Sequence, residues 1–257
     1  MTGVETVPAK SYDRARLLRN LRVNLMLKRS WRYLRYLHAR EALLALDDCR
    51  SVLVVGAGTG LAEVTLAVEF PEVEFHVTDY EGATHSIAKA KEIKETFQLA
   101  NVSFDLLNII TAPTPKRRFD LVYSVEVLEH IEDDALAAGR MLEHADKYVF
   151  CLVPFADAAS NQDEKKRAHA WQVHEHFRVG YDVVGLASAF PYPAIIRGCY
   201  WKDAGIPFRK KLEQSSDDAI RAGFDALAAE ADADCRDRMP ATPDDALGIW
   251  CLSRINR

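Results

Sequence analysis

Between Tyr12 and Leu46 the leucines Leu17, Leu18, Leu21, Leu25, Leu34, Leu37 and Leu44 recur mostly every three to four residues, with arginines between them. That is the period of a helix burying one stripe, and it predicts two helices with a break near Lys28–Ser30. The pattern then changes. Ser51–Val55 is a short β-branched run ending in glycine, Val73–Thr78 alternates and ends at Asp79, and Val102–Leu106, Phe119–Ser124 and Lys147–Val153 are similar runs. Helical stretches separate them: Gly60–Phe70, stopped by Pro71; Thr84–Leu99, with a polar face; and Asp133–His144. Strand and helix in alternation, joined by short links, predict a parallel sheet of right-handed βαβ units.

Further on, Asp157–Arg178 is polar and irregular and is predicted as a loop or lid, and Val179–Phe190 as a helix before Pro191. Ala194–Trp201 and Leu247–Ile255 complete the strands, with a charged helical insert of roughly Lys210–Cys235 between them. The expected organisation is a helical cap over residues 1–46 and a sheet domain over 47–257, its insert at about 203–245.

Composition adds limits. At 257 residues, 49% of them hydrophobic, the chain suits one α/β domain with an appendage. No apolar run approaches the roughly 20 residues of a membrane span, and the opening MTGVETVPAK does not read as a secretion signal. The five cysteines form no Cys-x-x-Cys pair, which argues against a disulfide framework or zinc site and for a reducing, cytoplasmic location. The net charge of −5 speaks against a dedicated nucleic-acid binder. Yet Lys10–Arg40 carries ten lysines and arginines against Asp13 alone. These are read either as a solvated helix face or as contacts to a phosphate-bearing or acidic acceptor; with Trp31, Tyr33 and Tyr36 they would also suit a membrane interface.

The first chemical motif is Val52-Leu53-Val54-Val55-Gly56-Ala57-Gly58-Thr59-Gly60: a buried strand running into a glycine turn that opens a helix. Glycines there allow a tight turn and close approach of a ligand to the backbone. Asp79 ends the next strand about 20 residues on, where a carboxylate accepts the ribose hydroxyls of an adenosine. The third piece is Phe119-Asp120-Leu121-Val122-Tyr123-Ser124-Val125-Glu126-Val127-Leu128-Glu129-His130-Ile131.

With these three pieces in order, Ser51–Val153 resembles the class I S-adenosylmethionine-dependent methyltransferases, in particular the group containing the ubiquinone-pathway O-methyltransferases. The resemblance implies a Rossmann-like α/β fold, a seven-stranded sheet of order 3-2-1-4-5-7-6 with strand 7 antiparallel. It implies S-adenosylmethionine as cofactor, bound by Gly56, Ala57, Gly58 and Gly60, with Asp79 on the ribose and Tyr80 beside it. Asn108 stands where the family often has an Asp facing the adenine amino group; its carbonyl offers the same acceptor, and Asp105 is the fallback. The backbone near Ser124 and Val125 would meet the cofactor's amino-acid end. A nicotinamide oxidoreductase would show Gly-x-Gly-x-x-Gly, whereas this chain reads Gly-x-Gly-x-Gly.

Glu126, Glu129 and His130 form a Glu-x-x-Glu-His cluster after the fourth strand, and His174 and His176 follow about 45 residues later. The combination resembles the metal-dependent small-RNA 3′-terminal 2′-O-methyltransferases, although His174 and His176 are only two apart. That resemblance implies a divalent ion, Mg²⁺ or Mn²⁺, on Glu126, Glu129, His130 and either His174 or His176, with His176 the ligand taken here. The ion would orient a substrate hydroxyl and lower its pKa. Without metal, Glu126 and His130 shape the pocket or cap a helix, and His130, His174 or His176 is the general base. His169 and Trp171 are candidates for the acceptor wall, Trp171 equally for simple packing.

The leading expectation is methyl transfer to a hydroxyl of a small acceptor, such as a sugar or polyol-bearing metabolite. The alternatives are an RNA 2′-O-methyltransferase, N- or C-methylation of a small molecule, and a non-catalytic binding protein on the same fold. The charged insert would serve as a homodimer contact or as a solvent-facing cap.

Overall fold

In a computed structural model of the chain, residues 13–28, 30–81, 87–201, 207–238 and 246–256 are described. Two helices, α1 (Arg14–Lys28) and α2 (Ser30–Leu44), precede a sheet of seven strands. These are β1 (Ser51–Val55), β2 (Glu74–Asp79), β3 (Val102–Leu106), β4 (Phe119–Val125), β5 (Ala145–Pro154), β6 (Ala194–Trp201) and β7 (Ala246–Arg254). Their order is β3-β2-β1-β4-β5-β7-β6. The first five pair in parallel, and β7 runs antiparallel to both β5 and β6. This is the Rossmann-like order expected from the sequence.

Position in the sheet explains the strand sequences. β1 is central, every one of its side chains is buried, and it reads as the continuous run SVLVV. β3 lies at the edge, and its burial falls away toward Asp105 and Leu106. The crossover helices are α3 (Leu61–Glu69), α4 (Ala88–Phe97) and α5 (Asp134–His144). Asp133 caps α5 by accepting from Leu136 N at 2.9 Å, as its place before an apolar-periodic run requires.

Two expectations change. Asp157–Arg178 is not a loop: it holds α6 (Ala158–Gln162) and α7 (Glu164–His174). Both start on aspartate caps, Asp157 accepting from Ser160 N and Asp163 from Lys165 N and Lys166 N. Only Ala170 of α7 is buried, so no apolar period marks it in the sequence. The helix expected from Val179 begins only at Val183, giving α8 (Val183–Ala189), because Tyr181 first forms a parallel bridge to Phe155.

Two cores flank the sheet. One packs α5 and α8 through Ala137, Met141 and Leu186. The other packs α1, α2, α3 and the insert helix α10 (Asp217–Arg238), which follows α9 (Pro207–Gln214). The apolar stripe of α10, including Ile220, Phe224 and Leu227, lies in the same core as α1 and α2.

Candidate active site

The carboxyl ends of β1, β2, β3 and β4 are neighbours, so the glycine turn, Asp79, Asn108 and Ser124 meet at one edge of the sheet. Gly56 N and Ala57 N both donate to Thr78 O at 3.0 Å, which hangs the turn on β2. Asp79 is almost fully buried. Its Oδ2 accepts from Gly58 N at 2.6 Å and its Oδ1 from Tyr80 N at 2.8 Å. Burial pushes the Asp79 carboxyl above its ordinary range, against the pull of those two amides. Gly56 has φ 75°, and a Cβ there would come within 2.3 Å of Val127 Cγ2. Gly60 has φ 66°, and a Cβ there would meet Ala90 Cβ at 2.9 Å. Glycine at both positions is therefore required twice over, by backbone angle and by space.

The other expected nucleotide-side residues surround this turn. Tyr80 is exposed next to Asp79. Asn108 is exposed past the end of β3, its Oδ1 accepting from Ile110 N at 3.0 Å, and Asp105 accepts from Leu106 N. Ser124 pairs in register with Val55 at the end of β1, and its buried Oγ has no hydrogen-bond partner among the described residues. Val125 ends β4, half-buried.

The chain leaves β4 through Glu126, a non-glycine residue at φ 55°, whose N–H donates to Leu152 O at 2.8 Å. A single 3-10 turn, Leu128–His130, follows. Glu129 has no exposed surface, and among the described residues neither of its carboxylate oxygens has a hydrogen-bond partner. Burial, and after it the nearby charge of Glu126, holds the Glu129 carboxyl well above the ordinary range. The segment after α7 returns to this turn, Phe177 N donating to Glu129 O at 2.8 Å. That contact brings the His176 ring to 4.5 Å from the His130 ring, edge to face. Ligand atoms of Glu129, His130 and His176 then lie within 4.8 Å of one another. Burial lowers the pKa of both imidazoles, that of His176 to about 4, so both are neutral near pH 7.

Of the other candidates, His174 is not one of the three convergent groups; its ring lies 5.1 Å from that of His176. Glu126 also stands apart, accepting from Arg35 Nη2 at 2.5 Å. Beside His176 opens a cavity of about 360 Å³ lined by Glu164, Arg167, Ala168, Trp171, His176 and Phe177. Trp171 and Phe177 are both exposed, with ring centroids 4.8 Å apart.

A methyltransferase domain family matches residues 46–201, more than half of the chain and the stretch that carries every group just described except Arg35. The chain belongs to that methyltransferase family. Its methyltransferase domain is built on a Rossmann-like sheet. A segment of 77 residues is 36% identical to the ribosomal RNA small subunit methyltransferase G of Phocaeicola vulgatus, covering 30% of this chain and 34% of that protein. The methyltransferase therefore matches about a third of the length of this curated relative. Among solved structures, it is similar to a provisionally named sarcosine dimethylglycine methyltransferase from Galdieria sulphuraria, with TM-score 0.59, 14% identity and coverage of 88% and 86% of the two chains. The phosphoethanolamine N-methyltransferase 2 of Haemonchus contortus, solved with S-adenosyl-L-methionine, gives TM-score 0.55 at 15% identity, over 85% of this chain and 53% of that one. At these identities the structures share the fold.

Among the described residues, much of the basic face of the N-terminal helices is turned inward. Arg14 donates to Val68 O and Glu69 O, Arg19 pairs with Asp225, Arg22 with Asp232 and the Tyr33 hydroxyl, and Arg40 with Glu69. Arg35 pairs with Glu126 at 21% and 12% side-chain exposure. Five of the seven arginines whose side chains are described thus tie α1 and α2 to α3, to α10 and to the loop after β4. A count of arginines cannot show this, because the acidic partners of Arg19, Arg22 and Arg35 lie 206, 210 and 91 residues away in the chain. Arg35 and Phe177 are the site residues that sequence reasoning missed. Glu63 is another: it is buried in α3 against the Tyr123 hydroxyl at 3.4 Å. A lone acid inside the apolar run LAEVTLAV was its only signal.

Proposed function

We propose that the methyltransferase transfers the methyl group of S-adenosylmethionine to a hydroxyl of a small-molecule acceptor, a sugar or polyol-bearing metabolite with adjacent hydroxyls. A divalent cation held by Glu129, His130 and His176 assists the transfer. The carrying observation is Glu129: a carboxyl group taken wholly out of water, with no hydrogen-bond partner among the described residues, facing two imidazoles whose pKa burial lowers. Such a group is costly unless a cation meets it. Neutral imidazoles offer the lone pairs a metal needs, and two nitrogens beside one carboxylate favour Mn²⁺ over Mg²⁺.

In this reading Asp79 accepts from the ribose hydroxyls. Gly56, Ala57, Gly58 and Gly60 leave the backbone bare for the nucleoside, since side chains at Gly56 and Gly60 would clash. Tyr80 and Asn108 border the adenine, and Ser124 and Val125 face the amino-acid end. A bound cation supplies a Lewis acid that makes the acceptor hydroxyl a better nucleophile. His174, outside the three convergent groups and exposed, is the imidazole placed to take the proton at the site's rim. The wall of Trp171 and Phe177 holds the acceptor against His176, so that its oxygen is directed rather than free to tumble. Residues 1–46 act as the cap and 47–257 as the catalytic domain, with the insert at about 203–245 bracing the cap.

The test is methyl transfer from labelled S-adenosylmethionine to matched panels of vicinal diols, phenols, amines and short RNA, with Mn²⁺ and with chelator. The expected product is a methyl ether, formed faster with Mn²⁺. Label recovered on nitrogen, or full activity in chelator, overturns the reading. A second reading, transfer to RNA, is favoured by the segment shared with the ribosomal RNA methyltransferase. It predicts steep loss of activity with salt. Against it stands the use of Arg14, Arg19, Arg22, Arg35 and Arg40 in contacts within the chain.

A further inference from the structure

The three convergent groups are an incomplete shell for a hard divalent ion, which prefers about six ligands and several carboxylate oxygens. A further carboxylate, Glu126, stands three residues before Glu129, just past the end of β4. It is already engaged. Arg35 reaches it from the middle of α2, at a sequence separation of 91 residues, and both side chains are largely buried. Glu126 itself sits at φ 55°, a left-handed conformation that is unfavourable for a non-glycine residue. The surroundings hold it there, Arg35 and Leu152 O among them.

Resting on the metal-assisted reading above, we propose that Arg35 and the divalent cation compete for Glu126, so that loading the Glu129–His130–His176 cluster loosens the hold of α2 on the loop after β4. Arg35 is then a positioning residue. While the cation is absent it neutralises one of two adjacent buried carboxylates. When the cation arrives, a charge of +2 outbids a charge of +1 for the same oxygen, by the proportionality of Coulomb attraction to charge. The helix that carries Arg35 is braced on α10 through Arg19–Asp225 and Arg22–Asp232, by way of α1. Cation occupancy is thereby linked to the seating of the cap over the acceptor side. Linkage requires the converse as well: anything that seats α2 more firmly weakens cation binding by the same factor.

The experiment is Mn²⁺ titration of the full chain, followed by loss of the free-ion paramagnetic resonance signal, for wild type, Arg35→Gln, Arg35→Lys, Glu126→Gln and the Arg35→Gln/Glu126→Gln double variant. Arg35→Gln is expected to tighten Mn²⁺ binding about tenfold, the usual scale of coupling between sites. Arg35→Lys, which keeps the charge, falls between Arg35→Gln and wild type, and remains informative should Arg35→Gln fold poorly. In the Glu126→Gln background the gain disappears, as a double-mutant cycle of directly coupled residues demands. Hydrogen exchange in α2 rises on adding Mn²⁺ to wild type and does not in Glu126→Gln. Unchanged or weaker Mn²⁺ binding in Arg35→Gln, or a gain that persists without Glu126, overturns the competition and leaves the metal reading standing. A wild-type protein that takes up no Mn²⁺, and behaves like Glu129→Gln in the same titration, overturns both.

Discussion

The two ends of the site are built in opposite ways. At the end proposed for the nucleotide almost every contact is backbone to backbone or backbone to a neighbouring carboxylate: Gly56 N and Ala57 N to Thr78 O, Gly58 N and Tyr80 N to Asp79. The acceptor end is side chains drawn from far-apart segments: Arg35 from α2, Glu126 to His130 after β4, and His176 and Phe177 after α7. The first half satisfies its buried groups internally, save for the Ser124 Oγ. The second leaves both oxygens of Glu129 without a partner among the described residues. A region that closes its own hydrogen bonds is a rigid seat, whereas one that leaves a buried acid unanswered is prepared for a guest that brings charge.

The sharpest way to break the comparison is at Gly56. Gly56→Ala sets a Cβ at a positive φ and 2.3 Å from Val127 Cγ2, and is expected to cost about 3 kcal/mol of stability in thermal denaturation. Gly58, also at positive φ but with nothing within 4 Å of an added Cβ, gives the smaller control, about 1 kcal/mol for Ala.

Glu63 tests what lies beneath both ends. Burial raises its pKa from 4.5 to about 7, with the Tyr123 hydroxyl a minor opposing influence. The folded state keeps the proton where the unfolded chain loses it, so its contribution is complete below about pH 4.5 and is lost as pH rises through 7. Glu63→Gln does not titrate. It should be more stable than wild type by on the order of 3 kcal/mol at pH 8 and indistinguishable at pH 4. Equal stabilities at pH 8 would show that the carboxyl is not desolvated.

Smaller effects separate the two ends from each other. Glu129→Gln should lower Mn²⁺-supported turnover about a hundredfold. The thermal stability of Glu129→Gln should gain on wild type as pH rises, because the amide never has to ionise in the buried turn. Asp79→Asn should weaken S-adenosylmethionine about thirtyfold in calorimetry, the range of a hydrogen bond to a charged group, and leave Mn²⁺ affinity unchanged. If Asp79→Asn also abolished Mn²⁺ binding, the two ends would be one cooperative unit and the contrast would fail.

What could be read from the chain follows the same division. The glycine turn and Asp79 are legible because a parallel sheet brings the ends of β1 and β2 together whenever those two strands are neighbours. The strand sequence SVLVV, the proline after α3 and the aspartate cap of α5 are local signals with local consequences. The helices of Asp157–Arg178 were not legible by period, since α7 buries only Ala170 and so carries no stripe.

The sequence by itself determined the alternation of strand and helix that makes a parallel sheet, the turn that leaves its backbone bare, and the identity of the acids and imidazoles after β4, while the strand order followed from the family resemblance. Only the tertiary structure decided which of them meet: that His176 rather than His174 joins Glu129 and His130, that Glu126 is turned to Arg35, and that the arginines of α1 and α2 are bound within the chain. The reason is physical. Backbone geometry and burial period are set by residues a few positions apart, while an ion pair or a ligand cluster needs only proximity in space, which packing confers on side chains that no spacing rule connects.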